Sequence, residues 1–171
     1  VNTERAANIN AMKDLNDKEI AAPLASENTR AMEIYLKWGG VDLKSLKIKN
    51  FEQPGVVAEL KSPTGSAVAG IVFSQVPTRL VMDEPKKFKD LVSADDLDNL
   101  WRQRTGTEYH WLLGWVAHDD FARENKELLQ KTHNAMKDTI DWVNNNSEEA
   151  RDIVAKKTKE AIPVLRETLK A

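Results

Sequence analysis

The sequence predicts an α/β fold built on a parallel sheet, and three observations carry that expectation. Short apolar or alternating runs recur with helical segments between them, in the order strand, helix, strand, helix, strand. One run, Ala67-Val68-Ala69-Gly70-Ile71-Val72-Phe73, is continuously apolar, as a strand covered on both faces is. The helical segments are punctuated: Ser26 and Pro54 stand at the first turns of two of them, and Gly39-Gly40 closes the first.

Val1 to Asp17 is polar, with Ala11, Met12 and Leu15 as its only good apolar cluster, and is expected to be a lead-in with a short helix. Glu19 to Leu24, broken by Pro23, suits a strand whose end enters a loop. Met32, Ile34, Tyr35, Leu36 and Trp38 then recur at helical spacing behind a cap at Ser26 or Asn28. Leu46 to Phe51 alternates as a half-buried strand does, and Pro54 to Lys61 follows as a helix. After Ser62-Pro63-Thr64-Gly65 comes the Ala67–Phe73 strand, and Pro77 opens a short helix through Leu80 to Met82. The charged stretch Lys86 to Arg104 suits an edge strand over Phe88–Val92 and a helix over Ala94–Trp101. Trp111 to Ala117 has the composition of another buried strand. Phe121, Leu128, Leu129, Met136, Ile140 and Val143 mark one face of a long helix capped by Asp119 or Asp120 and ended by Asn144-Asn145-Asn146. Ser147 is expected to cap a further helix with acidic residues in its first turn, and the tail containing Pro163 forms one more.

A chain of 171 residues is expected to form one domain or two small lobes. Its 25 Lys and Arg against 27 Asp and Glu leave a net charge of −2, which gives no field for gathering polyanions and argues against a nucleic-acid partner. No apolar run reaches the roughly 18 residues of a bilayer span, so no transmembrane segment is expected. The absence of Cys excludes disulfides, thiol catalysis and cysteine-ligated zinc. His110, His118 and His133 are scattered, with no pair at metal-ligand spacing on one helix, and neither a metal nor a cofactor is expected. Asp119-Asp120 are neighbours at a strand end that point apart, and capping accounts for one of them.

Several stretches together resemble the solute-binding proteins of ABC importers, in the branch for nitrate, sulfonates, taurine and thiamine precursors. They are Leu15 to Pro23, the helix ending Leu36-Lys37-Trp38-Gly39-Gly40-Val41-Asp42, Val56 to Leu60, Gly106-Thr107, Asp119 to Asn125 and Asp141 to Ala150. They occur in that family's order and at about its spacing across nearly the whole chain. The chain departs from the family at Gly65 to Gly70, where an acidic residue usually follows the glycine, and at Ser74-Gln75-Val76-Pro77, where Trp-x-Pro is common. The second departure bears on the identity of the ligand.

The resemblance implies a type II periplasmic-binding-protein-like α/β fold, a sheet flanked by helices, with one complete lobe and part of a second. Residues 1–106 would form the ligand-clamping lobe with its hinge entry. Residues 107–171 would be the return segment, a strand plus C-terminal helices, completing the other lobe. The chain begins at Val1 without Met and without a basic-then-apolar leader, so any signal peptide or preceding domain is expected to lie outside this sequence. The remaining strands of the incomplete lobe are accordingly expected from a missing N-terminal lobe or a second chain. The implied function is non-enzymatic transport: capture of a small polar or anionic metabolite between two lobes, by a hinge motion the ligand selects, and delivery to an ABC permease. The implied location is periplasmic or extracellular, a lipid anchor on a segment not present here being one form of it. The alternative keeps this fold as a thiamine-precursor-type biosynthetic enzyme or as a regulator's effector domain.

Ligands of open α/β sheets bind outside the carboxyl ends of the strands, where loops lead into helix N-termini. Two loops qualify. Ser26, Asn28 and Thr29 offer hydroxyls, an amide and backbone N–H groups at a helix start, where an anion is favoured; the plainer reading makes Ser26 or Asn28 a cap. Glu27 opposes a strongly anionic ligand if it points inward and complements the helix dipole if it points outward. Ser74, Gln75, Thr78 and Arg79 supply hydroxyl, amide and guanidinium groups within one turn, and Arg79 could pair bidentately with a carboxylate, sulfonate or phosphate. A solvated surface arginine is the plainer reading of that residue. Trp38, Trp111, Trp115 and Trp142 are expected to pack rather than to bind.

Overall fold

The computed structural model describes residues 1–108 and 114–168 and is α/β. The chain divides into two compact units, Val1–Leu112 and Leu113–Ala171.

In the first unit the strands β1 (Glu19–Ala22), β2 (Lys47–Asn50) and β3 (Ala69–Gly70) pair in parallel in the order β2-β1-β3. Ile20 stands opposite Ile48 and Ala69, and Ala21 opposite Lys49 and Gly70. These are the three segments expected from the sequence, in one sheet, and each is shorter than expected. β1 stops at Ala22 because Pro23 has no N–H to give the ladder. The apolar run around β3 leaves the ladder by Phe73, whose N–H goes instead to Gln53 Oε1 at 2.8 Å.

α1 (Glu27–Trp38) connects β1 to β2, and α2 (Gln53–Lys61) connects β2 to β3; such helical crossovers are what parallel pairing requires. α3 (Val76–Asp83) and α4 (Ala94–Thr105) follow, with Pro77 in the first turn of α3 and a Ser93/Asp96 capping box on α4. A short 3-10 helix at Met12–Leu15 precedes β1. The two-residue period of the strands divides the core between the two faces of the sheet. Ile20 and Ala69 pack with Leu36 and Val41, and with Ala6, Ile9 and Leu15 of the lead-in, on one face. Ala21 packs with Val56 and Leu60 of α2, Leu80 of α3, and Ala67 and Phe88 on the other. Gly70 faces α2, where a Cβ would lie 2.7 Å from Val56 Cγ1 and 2.9 Å from Leu60 Cδ1, so the helix sits this close only because no side chain intervenes.

The outer side of β3 is covered by the start of the chain. Asn2 N donates to Val68 O at 2.9 Å, and Asn2 pairs antiparallel with Phe88. The edge strand expected over Phe88–Val92 is reduced to that single bridge, because only Phe88 meets a partner of strand geometry. Arg5 donates to the carbonyls of Ala67 (2.6 Å), Glu59 (3.1 Å) and Ser62, tying the lead-in to the turn before β3. Tyr35 and Trp38 of α1 meet Trp101 of α4, with the two indoles 5.6 Å apart between centroids.

The second unit is helical in its described residues: α5 (Asp119–Glu124), α6 (Lys126–Asn145), α7 (Ser147–Thr158) and α8 (Ile162–Thr168). Four expectations change here. The single long helix breaks at Asn125, whose φ of −123° and ψ of 36° leave the helical region. Its cap position is His118, with Asp119 and Asp120 inside the first turn; likewise Asn146, not Ser147, precedes α7. Of the strand expected over Trp111–Ala117, residues 111–113 lie outside the described residues and 114–117 form no strand, with Trp115 84% and Val116 96% exposed. No helix among the described residues is long and apolar enough to cross a membrane.

Candidate functional site

Because β1 and β3 are parallel neighbours, the loops that leave them open at the same edge of the sheet. That edge receives the first turns of α1 and α3, and also that of α2 from β2. The two loops singled out in the sequence therefore leave the same edge of the sheet, at which α1, α2 and α3 begin.

On the β1 side, Ser26 is the cap of α1: its Oγ accepts from Asn28 N at 3.1 Å. The hydroxyl proton stays available to donate. Asn28 is half-buried and Glu27 is exposed, so the carboxylate complements the dipole from the solvent side. Thr29 is 1% exposed and its Oγ1 has no protein hydrogen-bond partner. It lies beneath the first turn rather than on the surface of the edge.

On the β3 side, Ser74 holds φ at 58°, the left-handed region that costs a residue with a Cβ about 1–2 kcal/mol. Gln75 is the residue before α3 and its side chain makes no capping bond. Gln75 and Thr78 are half-buried, and Ser74 and Arg79 are exposed. Backbone strain of this kind collects at functional loops.

Two residues of this edge escaped the sequence reading. Asn50, the last residue of β2, accepts from Leu24 N at 3.1 Å and so fixes the loop after β1. Gln53, in the first turn of α2, accepts from Phe73 N and fixes the loop after β3. Their signal was a polar amide at a strand end and at a helix start, the positions from which a side chain reaches a neighbouring loop.

A second polar cluster lies on the α2 face of the sheet. Lys49 Nζ is 3.1 Å from both Glu19 Oε1 and Glu59 Oε1 and 2.6 Å from Ser66 Oγ. Glu59 also accepts from Ser66 N (2.8 Å) and Ala67 N (3.0 Å), and Ser66 donates to Glu19. The backbone bond from Ala67, then Lys49 and Ser66, holds the Glu59 carboxyl below its usual range, against the opposing effect of burial. Ser66 and Lys49 hold Glu19 down, and Glu59 and Glu19 raise Lys49. A serine beside a lysine is a nucleophile only if the amine can take its proton. Lys49 is held protonated, so the pair ties β1, β2, α2 and the turn before β3 together and does not activate Ser66.

The described surface also holds an open depression of about 430 Å³ at the far end of α3, lined by Glu4, Asp83, Glu84, Pro85, Lys86 and Lys87. It contains none of the residues singled out in the sequence. Among the described residues no group of three or more His, Asp or Glu side chains is placed to hold a metal ion, and His110 lies outside them. Comparison with protein-family models, with curated proteins and with solved structures found no match.

Proposed function

We propose that the chain is a solute-binding component of an ABC importer, taking a small polar or anionic metabolite such as a sulfonate, taurine, nitrate or a thiamine precursor. One observation carries the reading: two polar loops, Ser26-Glu27-Asn28-Thr29 and Ser74-Gln75, leave adjacent parallel strands at one edge and run into the N-termini of α1 and α3. Ser26 and Ser74 donate hydroxyl protons to the ligand, Asn28 and Gln75 supply amides, Thr78 extends the same wall, and Arg79 neutralises an acidic group from the rim. A second lobe closes over the ligand from the other side, the ligand's contacts to both lobes favouring closure. The chain is non-enzymatic in this reading and works in the periplasm or outside the cell, handing its ligand to the permease.

Thermal-shift screening of the chain with taurine, alkylsulfonates, nitrate and hydroxymethylpyrimidine tests it. One of these is expected to raise the midpoint. Asn28→Ala and Gln75→Ala are each then expected to weaken that ligand by about tenfold, the equivalent of one lost hydrogen bond to a charged group. No shift with any of the four, or shifts untouched by both substitutions, refutes the reading.

A further inference from the structure

α6 carries an apolar stripe with the same spacing in both directions. Leu128-Leu129, Ala135-Met136 and Trp142-Val143 recur every seven residues, with Thr132 and Thr139 midway between successive pairs. At about 3.6 residues per turn the stripe spans roughly 140° of the helix, with the threonines along its middle and one member of each pair along either side. Both threonine hydroxyls are already satisfied, Thr132 Oγ1 donating to Leu128 O at 2.9 Å and Thr139 Oγ1 to Ala135 O at 2.7 Å. Their methyls therefore complete a surface that needs no water. Most of that surface is open: Leu128 is 52%, Trp142 40% and Val143 40% exposed, with Ile140 beside them at 59%, while Leu129 and Met136 are half-buried.

We propose that this stripe is the interface of a homodimer, in which α6 packs antiparallel on α6 of a second copy about a two-fold axis passing by Ala135 and Met136. The occupant is a second copy because the stripe complements itself on inversion. Leu128 meets Trp142 of the second copy, Leu129 meets Val143, Thr132 meets Thr139, and Ala135 and Met136 meet their own counterparts, as an isologous contact requires. Ala135 at the crossing lets the axes approach closely. Charge agrees with the same register. Lys131, which is ion-paired to Glu127 of its own helix at 2.7 Å, and Asp138 both border the Leu128–Trp142 side of the stripe, so inversion sets the Lys131–Glu127 pair of each copy beside Asp138 of the other, within reach of the lysine. Size agrees as well. The exposed fractions of Leu128, Ile140, Trp142 and Val143 leave on the order of 400 Å² of apolar surface. This is about what the apolar half of a standard interface of roughly 800 Å² per partner takes. A lipid surface fits less well, since Lys126, Lys131 and Lys137 are balanced on the same helix by Glu127, Asp138 and Asp141, leaving no basic face. The proposal is independent of the solute-binding reading.

Sedimentation of the full chain tests it, with a monomer–dimer equilibrium in the micromolar range expected. Lys131→Glu and Asp138→Lys should each raise the dimer dissociation constant about tenfold, and the double exchange should restore it. Circular dichroism of each variant reports whether the helices are intact. Because the chain has no cysteine, Ala135→Cys places a single thiol beside the axis; it should oxidise to a disulfide-linked dimer, while Gln130→Cys on the outer side of α6 should not. A chain monomeric up to roughly 100 µM overturns the proposal. So do equal cross-linking of the two cysteine variants, failure of the double exchange to restore the dimer, and vesicle binding without dimerisation.

Discussion

Thr29 and Gly70 are two positions at which a single atom decides the outcome. The Thr29 hydroxyl is buried without a protein partner, a state that costs about 1–3 kcal/mol. Thr29→Val keeps the shape and removes the hydroxyl, and is expected to raise stability by about 1 kcal/mol in urea denaturation. Gly70→Ala is expected to do the reverse of a relief. Its methyl would meet Val56 and Leu60, and overpacking of this kind costs about 1–3 kcal/mol in the same measurement.

At the scale of elements, the carboxylates around Lys49 are expected to make the sheet sensitive to acid. The folded Glu59 and Glu19 hold their protons more weakly than their ordinary value of 4.5, so their contribution is complete above that pH and is lost as the pH falls through their lowered folded values. Lys49 contributes in the opposite sense, complete below its ordinary 10.5 and lost only as the pH rises through its raised folded value. Glu59→Gln is therefore expected to reduce stability at neutral pH by about 1–3 kcal/mol and to flatten the loss between neutrality and pH 3, read from urea midpoints across that range. Much of the element order was legible beforehand. The short apolar or alternating strand runs, the Ser26 cap, the Gly39 stop and Pro77 in the first turn of α3 are local signals, each set by a few neighbouring residues. The links from Asn2 and Arg5 to the β3 region, the Lys49 cluster and the Asn50 and Gln53 bonds join residues far apart in sequence, and no periodicity announces such contacts. Asn125 carried the break between α5 and α6, but its signal is weak inside a continuing apolar pattern.

For the whole molecule, the sheet and both core clusters lie within the first unit. A fragment of residues 1–108 is accordingly expected to unfold cooperatively by itself, with a urea slope in proportion to its size. Gradual loss of signal without a transition would show instead that the first unit depends on the rest of the chain. In the intact chain, Trp115 is expected to be the most accessible to acrylamide quenching of the four described tryptophans, because it is 84% exposed. The expectation of a buried strand there rested on composition alone, and composition does not distinguish a covered apolar run from an exposed one.

The meeting of Tyr35, Trp38 and Trp101 gives the protein a built-in optical reporter. Two indoles 5.6 Å apart and inclined at 52° couple their electronic transitions, so the far-ultraviolet circular dichroism should carry an exciton couplet in addition to the helix bands. Its source is the seating of α4 on α1, not the sheet. Trp101→Phe should abolish the couplet while leaving the helix bands in place, which identifies its origin. During heating, loss of the couplet before the helix signal would mean that α4 lifts away while the three strands still hold, and simultaneous loss would mean that the layer and the sheet melt as one.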